Sequence, residues 1–315
     1  MPLPTIHVLL ATFDGARYLR QQWESLEAQE GVEVVLHVAD DGSTDGTPRL
    51  LHELAARASG AVRQVHWLDA PPRRSATRSF LLLLDDAVSR QSQARWFAYC
   101  DQDDVWLPGK LAAAHAALAP FEHAERAALY GGRTLAVDEQ DREGDLSPLF
   151  ARPPSFRNAL AQNIMGGNTI LMNRAAAELV AKSAAADVVV HDWFTYQLVA
   201  GAGGHLHYDP RPFVRYRQHG ANLIGSALGW KARLRRWTRI WHGDYSRWNS
   251  LHVAALDARV EALTPEHREV LHAFQHARLA RSPWDRAAWL RRSGVWRQTP
   301  SGDLMLWLAC CVRRL

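Results

Sequence analysis

The stretch YCDQDDVWLPGK, residues 99–110, is the part of the chain from which fold and chemistry are inferred. It continues an apolar run beginning at Trp96, and a run of this length and aromatic content is typical of a buried strand. Three carboxylates follow where this strand ends: Asp101, Asp103 and Asp104. Open α/β sheets bind ligands at the carboxyl ends of their strands, and carboxylates at alternate positions can converge on one hard divalent cation. The alternative is a solvated acidic turn that caps the following helix.

The sequence before this stretch alternates strand and helix patterns. Strand patterns cover residues 6–12, 32–39 and 62–68, and helical patterns cover residues 16–29, 48–58 and 75–90. Asp14 follows the first strand, and Asp40 and Asp41 follow the second. This alternation predicts an α/β fold with a mostly parallel sheet flanked by helices, whose acidic loops meet at one edge. Ser43 or Thr44 is expected to cap the second helix.

Composition excludes several classes of protein. The chain has 315 residues, of which 47% are apolar, so it can bury a full core. Its three cysteines form neither a disulfide framework nor a zinc pattern, which favours a reducing compartment. No secretory signal and no apolar stretch long enough to span a membrane is visible. Glycine patterns of dinucleotide-binding folds and P-loops are also missing.

The net charge of +4 hides an asymmetry between the two parts of the chain. Residues 226–315 carry a net charge of +9 and hold 8 of the 13 tryptophans, whereas residues 1–225 carry −5. Within this tail, residues 228–241 place Trp237 and Trp241 among five basic side chains. A basic helix with aromatic anchors suits an anionic bilayer surface. Helices packed on the body with a basic outer face are the alternative.

Six stretches, in this order, resemble motifs of family 2 glycosyltransferases, particularly their bacterial rhamnosyltransferase-like branch. They are residues 11–15, 40–47, 101–110, 166–174, 191–193 and 216–225. The resemblance implies a GT-A (Rossmann-like) fold, a nucleotide-diphosphate sugar donor, Mg²⁺ or Mn²⁺ as cofactor and an inverting transfer. It also implies a catalytic domain over residues 1–225, followed by a basic, Trp-rich helical extension over residues 226–315.

Matched position by position, the resemblance implies roles for individual residues. The nucleotide-sugar-binding residues implied are Ala11, Thr12, Phe13, Asp14, Asp41, Arg78, Asp101 and Gln102. The metal ligands implied are Asp101, Asp103 and His219, and the acceptor-side residues are Gly166, Gly167, Asn168, His191 and Trp193. Asp192 matches the catalytic base. The chain departs from the family at Ser79, where relatives often carry asparagine, although Arg78 is kept.

The residue types also suit this chemistry. A departing nucleoside diphosphate needs a cation to neutralise its negative charge, and the acceptor hydroxyl needs a base on the opposite face of the sugar. Asp192 precedes an apolar helical run, so its carboxylate is expected at a helix N-terminus, which favours the ionised form that a base requires. Position alone fits a helix cap equally well. His219 is likewise compatible with a plain loop histidine.

The resemblance implies a metal-dependent inverting glycosyltransferase of bacterial surface polysaccharide synthesis, such as lipopolysaccharide synthesis. Rhamnose is the leading candidate for the sugar, and the expected acceptor is a saccharide or a lipid-linked saccharide. The enzyme is expected in the cytoplasm, peripheral on the inner face of the cell membrane, with an anionic membrane surface and no nucleic acid as partner. A nucleotidyltransferase is one alternative, but its Gly-rich N-terminal loop is missing. A nucleic-acid-binding protein is another, but no recognition motif accompanies the basic tail.

Overall fold

A computed structural model describes residues 2–218 and 244–315, and its elements are numbered here in chain order over those residues. The strands are β1 (Thr5–Thr12), β2 (Glu33–Asp40), β3 (Val62–Trp67), β4 (Trp96–Cys100), β5 (Val105–Trp106), β6 (Ala128–Val137), β7 (Glu143–Leu146), β8 (Leu171–Asn173) and β9 (His205–Arg217). The helices of the first range are α1 (Ala16–Glu27), α2 (Thr47–Ala55), α3 (Ala76–Arg90), α4 (Lys110–Leu118), α5 (Phe156–Ala159), α6 (Arg174–Ala181) and α7 (His191–Gly201). Those of the second range are α8 (Asp244–Asp257), α9 (Pro265–Leu279), α10 (Pro283–Ser293) and α11 (Pro300–Cys311).

One sheet organises the molecule, in the strand order β3-β2-β1-β4-β8-β6-β9-β5, with β7 paired to β6. Strands β1 to β4 pair in parallel, as the alternating pattern predicts. Strand β8 is antiparallel to both β4 and β6, while β9 is parallel to β6 and antiparallel to β5. The expectation of a mostly parallel sheet therefore holds for the N-terminal half, and the antiparallel pairs that β5, β7 and β8 form make the whole sheet mixed.

Strand β1 explains why the N-terminal strands are continuous apolar runs. Its residues Val8 and Leu10 pack into a cluster with Trp23 of α1, whereas Leu9 packs into a second cluster with Phe80 of α3. All but Phe80 are fully buried, and that ring is 2% exposed. A parallel strand covered by helices on both faces has no polar side, so its sequence does not alternate.

The start of α2 differs from the prediction. Its N-cap is Gly46, which has no capping side chain, so the expectation that Ser43 or Thr44 caps the helix is wrong. The hydroxyl of Ser43 accepts from the amide of Asp14 at 2.9 Å, and the amide of Thr44 donates to the carboxylate of Asp14. Both residues are used to join the loops after β1 and β2, so neither reaches the helix end.

The helical C-terminal extension is confirmed, and residues 244–315 share a hydrophobic cluster with the body of the protein. Leu256 of α8, Phe274 of α9 and Leu306 of α11 belong to the same cluster as Phe194 of α7. The predicted division of the chain at residue 225 stays a prediction, and the predicted basic helix over residues 228–241 lies outside the described residues. Within the part of the chain that is described, no helix is both long and apolar enough to cross a bilayer.

Candidate active site

The loops after β1, β2 and β4 meet at one edge of the sheet. Thr12 pairs with Asp40 where β1 and β2 end, and Leu10 pairs with Cys100 near the end of β4. Because parallel neighbours end at the same edge, the predicted acidic segments are brought together although about 90 residues separate the first from the last.

Gln102 joins the loop after β4 to the loop after β1. Its side-chain Oε1 accepts from the Phe13 amide, and its Nε2 donates to the Phe13 carbonyl, both at 2.9 Å. A Cβ on Gly15 would lie 2.0 Å from that Oε1, so the pairing requires glycine at this position. Gln102 therefore holds the backbone of the predicted nucleotide-binding loop in place.

Asp14 has a comparable role between the loops after β1 and β2. Its Oδ1 accepts from the Thr44 amide at 2.7 Å and from the Asp45 amide at 3.3 Å. Its backbone has a φ of +44°, in the left-handed region that aspartate tolerates better than most residues. The carboxylate binds this neighbouring loop, and Asp14 does not line the cavity described below.

Asp41 anchors the connection between β3 and α3. One of its carboxylate oxygens accepts from the amides of Arg73 and Arg74, and the other accepts from the amide of Ser75 at 2.8 Å. The residue is 7% exposed. Three backbone amides thus donate hydrogen bonds to the Asp41 carboxylate, which was expected to contact the nucleotide base of the sugar donor.

A cavity of about 480 Å³ opens at this edge of the sheet and is of a size typical of small-molecule sites. Twelve residues predicted for the site line it: Ala11, Thr12, Phe13, Asp41, Asp101, Gln102, Asp103, Gly166, Gly167, Asn168, His191 and Asp192. Three further predicted residues, Asp14, Arg78 and Trp193, are not part of its wall, and His219 lies outside the described residues.

Trp193 is a core residue. It is 6% exposed, and its indole nitrogen donates to the carbonyl of Ala159 at 2.7 Å while its ring packs on His252. Arg78 is exposed on the first turn of α3. The next residue, Ser79, is buried in the cavity wall.

Asp192 lies in the first turn of α7, whose N-cap is Val190, so Asp192 is not the N-cap. Its Oδ2 accepts from the Gly167 amide at 2.9 Å, and its Oδ1 accepts from the Trp193 amide at 2.6 Å. Burial raises the pKa of Asp192 to about 6, and these hydrogen bonds oppose that rise. The expectation that the helix N-terminus keeps this carboxylate fully ionised is therefore only partly met, because burial has the larger effect.

His191 forms the wall beside Asp192. Its ring stacks on Phe80 with 4.1 Å between centroids and meets Tyr99 edge to face. Burial lowers the pKa of this imidazole to about 3, so the ring is neutral. Among the residues that the structure describes, none forms a hydrogen bond with its buried Nε2.

Asp101 and Asp103 make the cavity strongly acidic. Burial, together with the smaller effect of the nearby carboxylates of Asp103 and Asp192, raises the pKa of Asp101 to about 8. A divalent cation would relieve this crowding, and carboxylate oxygens are the donors that Mg²⁺ and Mn²⁺ favour. Within residues 2–218 and 244–315, no cluster of three or more such side chains could hold a metal by itself. A two-carboxylate set leaves positions open to substrate phosphates, as Mg²⁺ sites commonly do. The residues therefore fit the expected metal.

The third carboxylate of the motif, Asp104, has a structural role that the sequence did not distinguish. It is fully buried, and its two oxygens accept from the Asn168 side-chain amide at 2.6 Å and from the Arg217 backbone amide at 3.1 Å. The Arg217 guanidinium also donates to the carbonyl of Asp103 at 3.0 Å. The acidic loop is thereby tied to the turn beside Asp192 and to the end of β9, two residues before His219.

Several cavity residues carry no signal in the sequence. Thr134, Ser147 and Phe150 line the wall from the second half of the sheet, as do Ile164 and Tyr216. No motif marks the first four, because they reach the site only through the packing of distant segments, whereas Tyr216 begins the stretch 216–225 that resembles the family. Asn163 also lines the cavity and forms a hydrogen bond with the Asp192 side chain. Its position three residues before Gly166 is the one signal that could have found it.

The family follows from the sequence as a whole. The sequence profile of the family described as Glycosyl transferase family 2 matches residues 7–178, more than half of the chain. The protein belongs to this family. It is a glycosyltransferase, and the resemblance noted in its motifs is confirmed.

Relatives of this glycosyltransferase include a rhamnosyl transferase. The dTDP-rhamnosyl transferase RfbG of Shigella flexneri is 25% identical over 235 residues, covering 72% of this chain and 77% of RfbG. An uncharacterized protein of Mycobacterium tuberculosis is 26% identical over 267 residues, covering 83% of this chain and 69% of the mycobacterial protein.

Solved structures show that the glycosyltransferase has the GT-A fold. Mannosyltransferase PcManGT from Pyrobaculum calidifontis, solved in complex with GDP-Man and Mn²⁺, superposes with a TM-score of 0.54 at 19% identity. That match covers 100% of this chain and 85% of PcManGT. TarS residues 1–349 of S. aureus, in complex with UDP-GlcNAc, give a TM-score of 0.52 at 15% identity, covering 92% of this chain and 89% of TarS 1–349.

Proposed function

We propose that this glycosyltransferase is a metal-dependent, inverting rhamnosyltransferase of bacterial surface polysaccharide synthesis. It would move rhamnose from dTDP-rhamnose to a saccharide or a lipid-linked saccharide. One observation carries the mechanism: Asp192 and the Asp101–Asp103 pair line the same cavity and lie close enough to affect each other's protonation. The choice of sugar and nucleotide is supported by the similarity to the dTDP-rhamnosyl transferase of Shigella flexneri.

The donor would bind along the loops after β1, β2 and β4. Ala11, Thr12 and Phe13 line the cavity and offer backbone and side-chain contacts to the nucleotide. Asp14, Asp41 and Gln102 contribute chiefly by holding those loops in position. Arg78 is proposed to reach the donor from the first turn of α3, where its exposed guanidinium suits paired phosphate oxygens.

Asp101, Asp103 and His219 are proposed to hold Mg²⁺ or Mn²⁺. When bound, the cation neutralises the negative charge that develops on the departing diphosphate. Hydrogen bonds from Arg217 tie the end of β9 to the acidic loop, which supports a role for His219 two residues later. The presence of Mn²⁺ in the PcManGT structure is consistent with this assignment.

The transfer step would use Asp192 as general base. The acceptor hydroxyl oxygen forms a bond to the anomeric carbon of the sugar, the bond from that carbon to the diphosphate oxygen breaks, and the hydroxyl proton passes to Asp192. Attack from the face opposite the leaving group inverts the anomeric centre. Gly166, Gly167 and Asn168 shape the acceptor side, and the neutral His191 forms the wall beside them. Trp193 supports this side from the core.

The experiment is a donor panel assayed for nucleoside diphosphate release. Purified full-length protein is incubated with dTDP-rhamnose, UDP-GlcNAc or GDP-mannose, with Mn²⁺, with Mg²⁺ or with excess chelator. We expect dTDP release from dTDP-rhamnose only with metal, and near-complete loss of release by a folded Asp103→Asn variant. Full activity in chelator would refute metal dependence, a preference for another donor would refute rhamnose, and release of pyrophosphate would indicate a nucleotidyltransferase.

The proposed location is the cytoplasm, peripheral on the inner face of the cell membrane. The net charge of +9 over residues 226–315 supports attraction to anionic lipid, because each basic residue near such a surface adds about 1 kcal/mol. A lipid-linked acceptor would be presented at that surface. No nucleic-acid partner is proposed, and the absence of a shift with bare DNA or RNA at low salt would test this.

A further inference from the structure

Large exposed apolar side chains concentrate at the C-terminus of the described structure. Five of them are Leu279 (69% exposed), Trp284 (83%), Leu304 (60%), Leu308 (48%) and Val312 (51%). Together these five are named the C-terminal apolar surface. Scattered exposed apolar residues are common on soluble proteins, but a contiguous group indicates contact with a partner or a membrane.

Helix α11 accounts for three of the five. Leu304, Leu308 and Val312 follow each other at intervals of four residues and so lie along one side of the helix and its C-terminal end. The opposite side buries Leu306 and Cys310 in the core. A helix that is apolar on both sides is expected to be covered on both, yet one side of this helix faces outward.

The remaining two residues belong to the same corner of the molecule. The guanidinium of Arg286, which is 3% exposed, donates to the carbonyls of Cys310 and Cys311 at the end of α11. The Cys310 thiol donates to the carbonyl of Ala277 in α9. These bonds fix the end of α9 and the start of α10 beside the end of α11, so the segments that carry Leu279 and Trp284 belong to the same corner of the molecule as the end of α11.

The charge around this surface indicates which partner covers it. Residues 276–315 contain eight arginines and two acidic residues, and Arg281, Arg313 and Arg314 are exposed. Of the two acids, Asp303 is engaged by Arg152 and by the Arg297 amide, and Asp285 is exposed in the first turn of α10. A second copy of the chain would bring like charges together, which is unfavourable. An anionic bilayer can contact both kinds of side chain, because its acyl region accepts apolar residues and its negative headgroups attract arginines.

We infer that the C-terminal apolar surface docks on anionic membrane, with Trp284 and the outer side of α11 entering the headgroup region and the surrounding arginines contacting lipid phosphates. Tryptophan is enriched at this depth of a bilayer. The inference refines the membrane partner of the proposed function by assigning the contact to described residues. Vesicle binding is measured without donor or acceptor, so its failure and the failure of sugar transfer are separate outcomes.

The test is co-sedimentation of the full-length chain with vesicles of phosphatidylglycerol and phosphatidylcholine, and with vesicles of phosphatidylcholine alone. We expect binding to the anionic vesicles that weakens in high salt. Trp284→Ala should reduce the affinity roughly tenfold, since a buried aromatic side chain contributes about one such factor or more. Leu308→Ser and Arg281→Glu should also weaken binding. Point variants are used because residues 244–315 share the core of the protein, so truncation would expose it.

Matched controls keep this test decisive. Leu3→Ser alters a leucine as exposed as Leu308, at 48%, and Arg57→Glu alters an exposed arginine of α2's C-terminal side; neither should change vesicle binding. Circular dichroism and sugar transfer to a soluble acceptor verify that the variants fold. The inference is overturned if the wild type ignores anionic vesicles at low salt, or if Trp284→Ala and Leu308→Ser bind like wild type. It is also overturned if light scattering detects a dimer that Trp284→Ala dissociates, because the surface would then join two copies.

Discussion

Asp192 is the residue proposed to take the proton of the acceptor hydroxyl, and its surroundings explain how it can act as a base. Two backbone amides orient its carboxylate toward the cavity, and burial brings its pKa to about 6. A base whose pKa lies slightly below the working pH is mostly ionised and still accepts a proton effectively. Both properties depend on the turn at Gly167 being packed against the first turn of α7.

Replacing this carboxylate separates catalysis from binding. Asp192→Asn should lower the turnover number by roughly 10²–10⁴-fold, because the amide cannot take the acceptor proton. Donor affinity, measured by calorimetry with the dTDP-sugar, should change little. Asp285→Asn removes an acid from the first turn of α10 and is the matched control, with normal turnover expected. Normal transfer by Asp192→Asn would leave Asp192 a purely structural residue.

The pKa of Asp192 also predicts the acid side of the pH profile. Below about pH 6 the carboxyl is protonated and cannot accept a proton, so turnover should fall about tenfold per pH unit. The measurement is made at saturating Mn²⁺, which keeps the metal-binding carboxylates deprotonated. Turnover that stays constant from pH 7 to well below 6 would contradict this role.

At the level of elements, the structure uses acidic side chains to tie loops together. Asp14 holds the loop after β2, Asp41 holds the loop before α3, and Asp104 holds the turn before β8 and the end of β9. The site is rigid at its rim because each loop is fastened to a neighbour from a different part of the chain. Preorganised loops of this kind lower the entropy lost when a ligand binds.

Asp41 offers a test of this interpretation. Asp41→Ala leaves the amides of Arg73, Arg74 and Ser75 without their acceptor, so the free energy of unfolding should fall by about 1–3 kcal/mol. Urea denaturation measures this change, and KM for the donor should rise because the loop bounds the cavity. Asp69→Ala, at an exposed acid of the same connection, should leave stability unchanged. Weakened donor binding with wild-type stability would instead favour direct contact between Asp41 and the nucleotide base.

On the scale of the whole molecule, neutral histidines in the sheet couple folding to pH. Nδ1 of His7 on β1 lies 2.9 Å from Nε2 of His37 on β2, and His37 stacks on His66 of β3. Burial lowers the pKa of His7 to about 4 and that of His37 to about 3, with nearby positive charge adding to both shifts. The folded protein therefore resists protonation at positions that the unfolded chain protonates readily.

The lowered pKa values of His7 and His37 determine how the free energy of unfolding changes with pH. As pH falls below about 6.5, the unfolded chain binds protons that the folded chain excludes, so stability should decrease by roughly 1–2 kcal/mol per histidine between pH 7 and pH 5. His37→Gln keeps a polar partner for His7 and should flatten this dependence. Urea titrations at both pH values measure it, with exposed His123→Gln as the control. Equal pH dependence in wild type and His37→Gln would show that the cluster has no such effect.

The sequence by itself determined the elements that depend on local pattern. The strand at Trp96–Cys100 was predicted with the bounds that the structure has, and the neighbouring strands and helices were placed within about three residues. Apolar runs, helical spacing and short turns are local properties, so no tertiary information is needed to find them. The order of the motifs along the chain likewise indicated the family. The meeting of the acidic loops could also be predicted, because loops that follow neighbouring parallel strands lie at the same edge of the sheet.

Only the tertiary structure decided what each acidic residue does. Asp104 receives a backbone amide from a distant segment and is buried away from the cavity, whereas Asp41 and Asp192 receive amides and also line the cavity. No local pattern distinguishes these cases, since the donors are 32 to 113 residues away in the chain for the first two. The pKa of Asp192 likewise could not be predicted, because it depends on burial by α7, the Gly167 turn and the opposite wall of the cavity together.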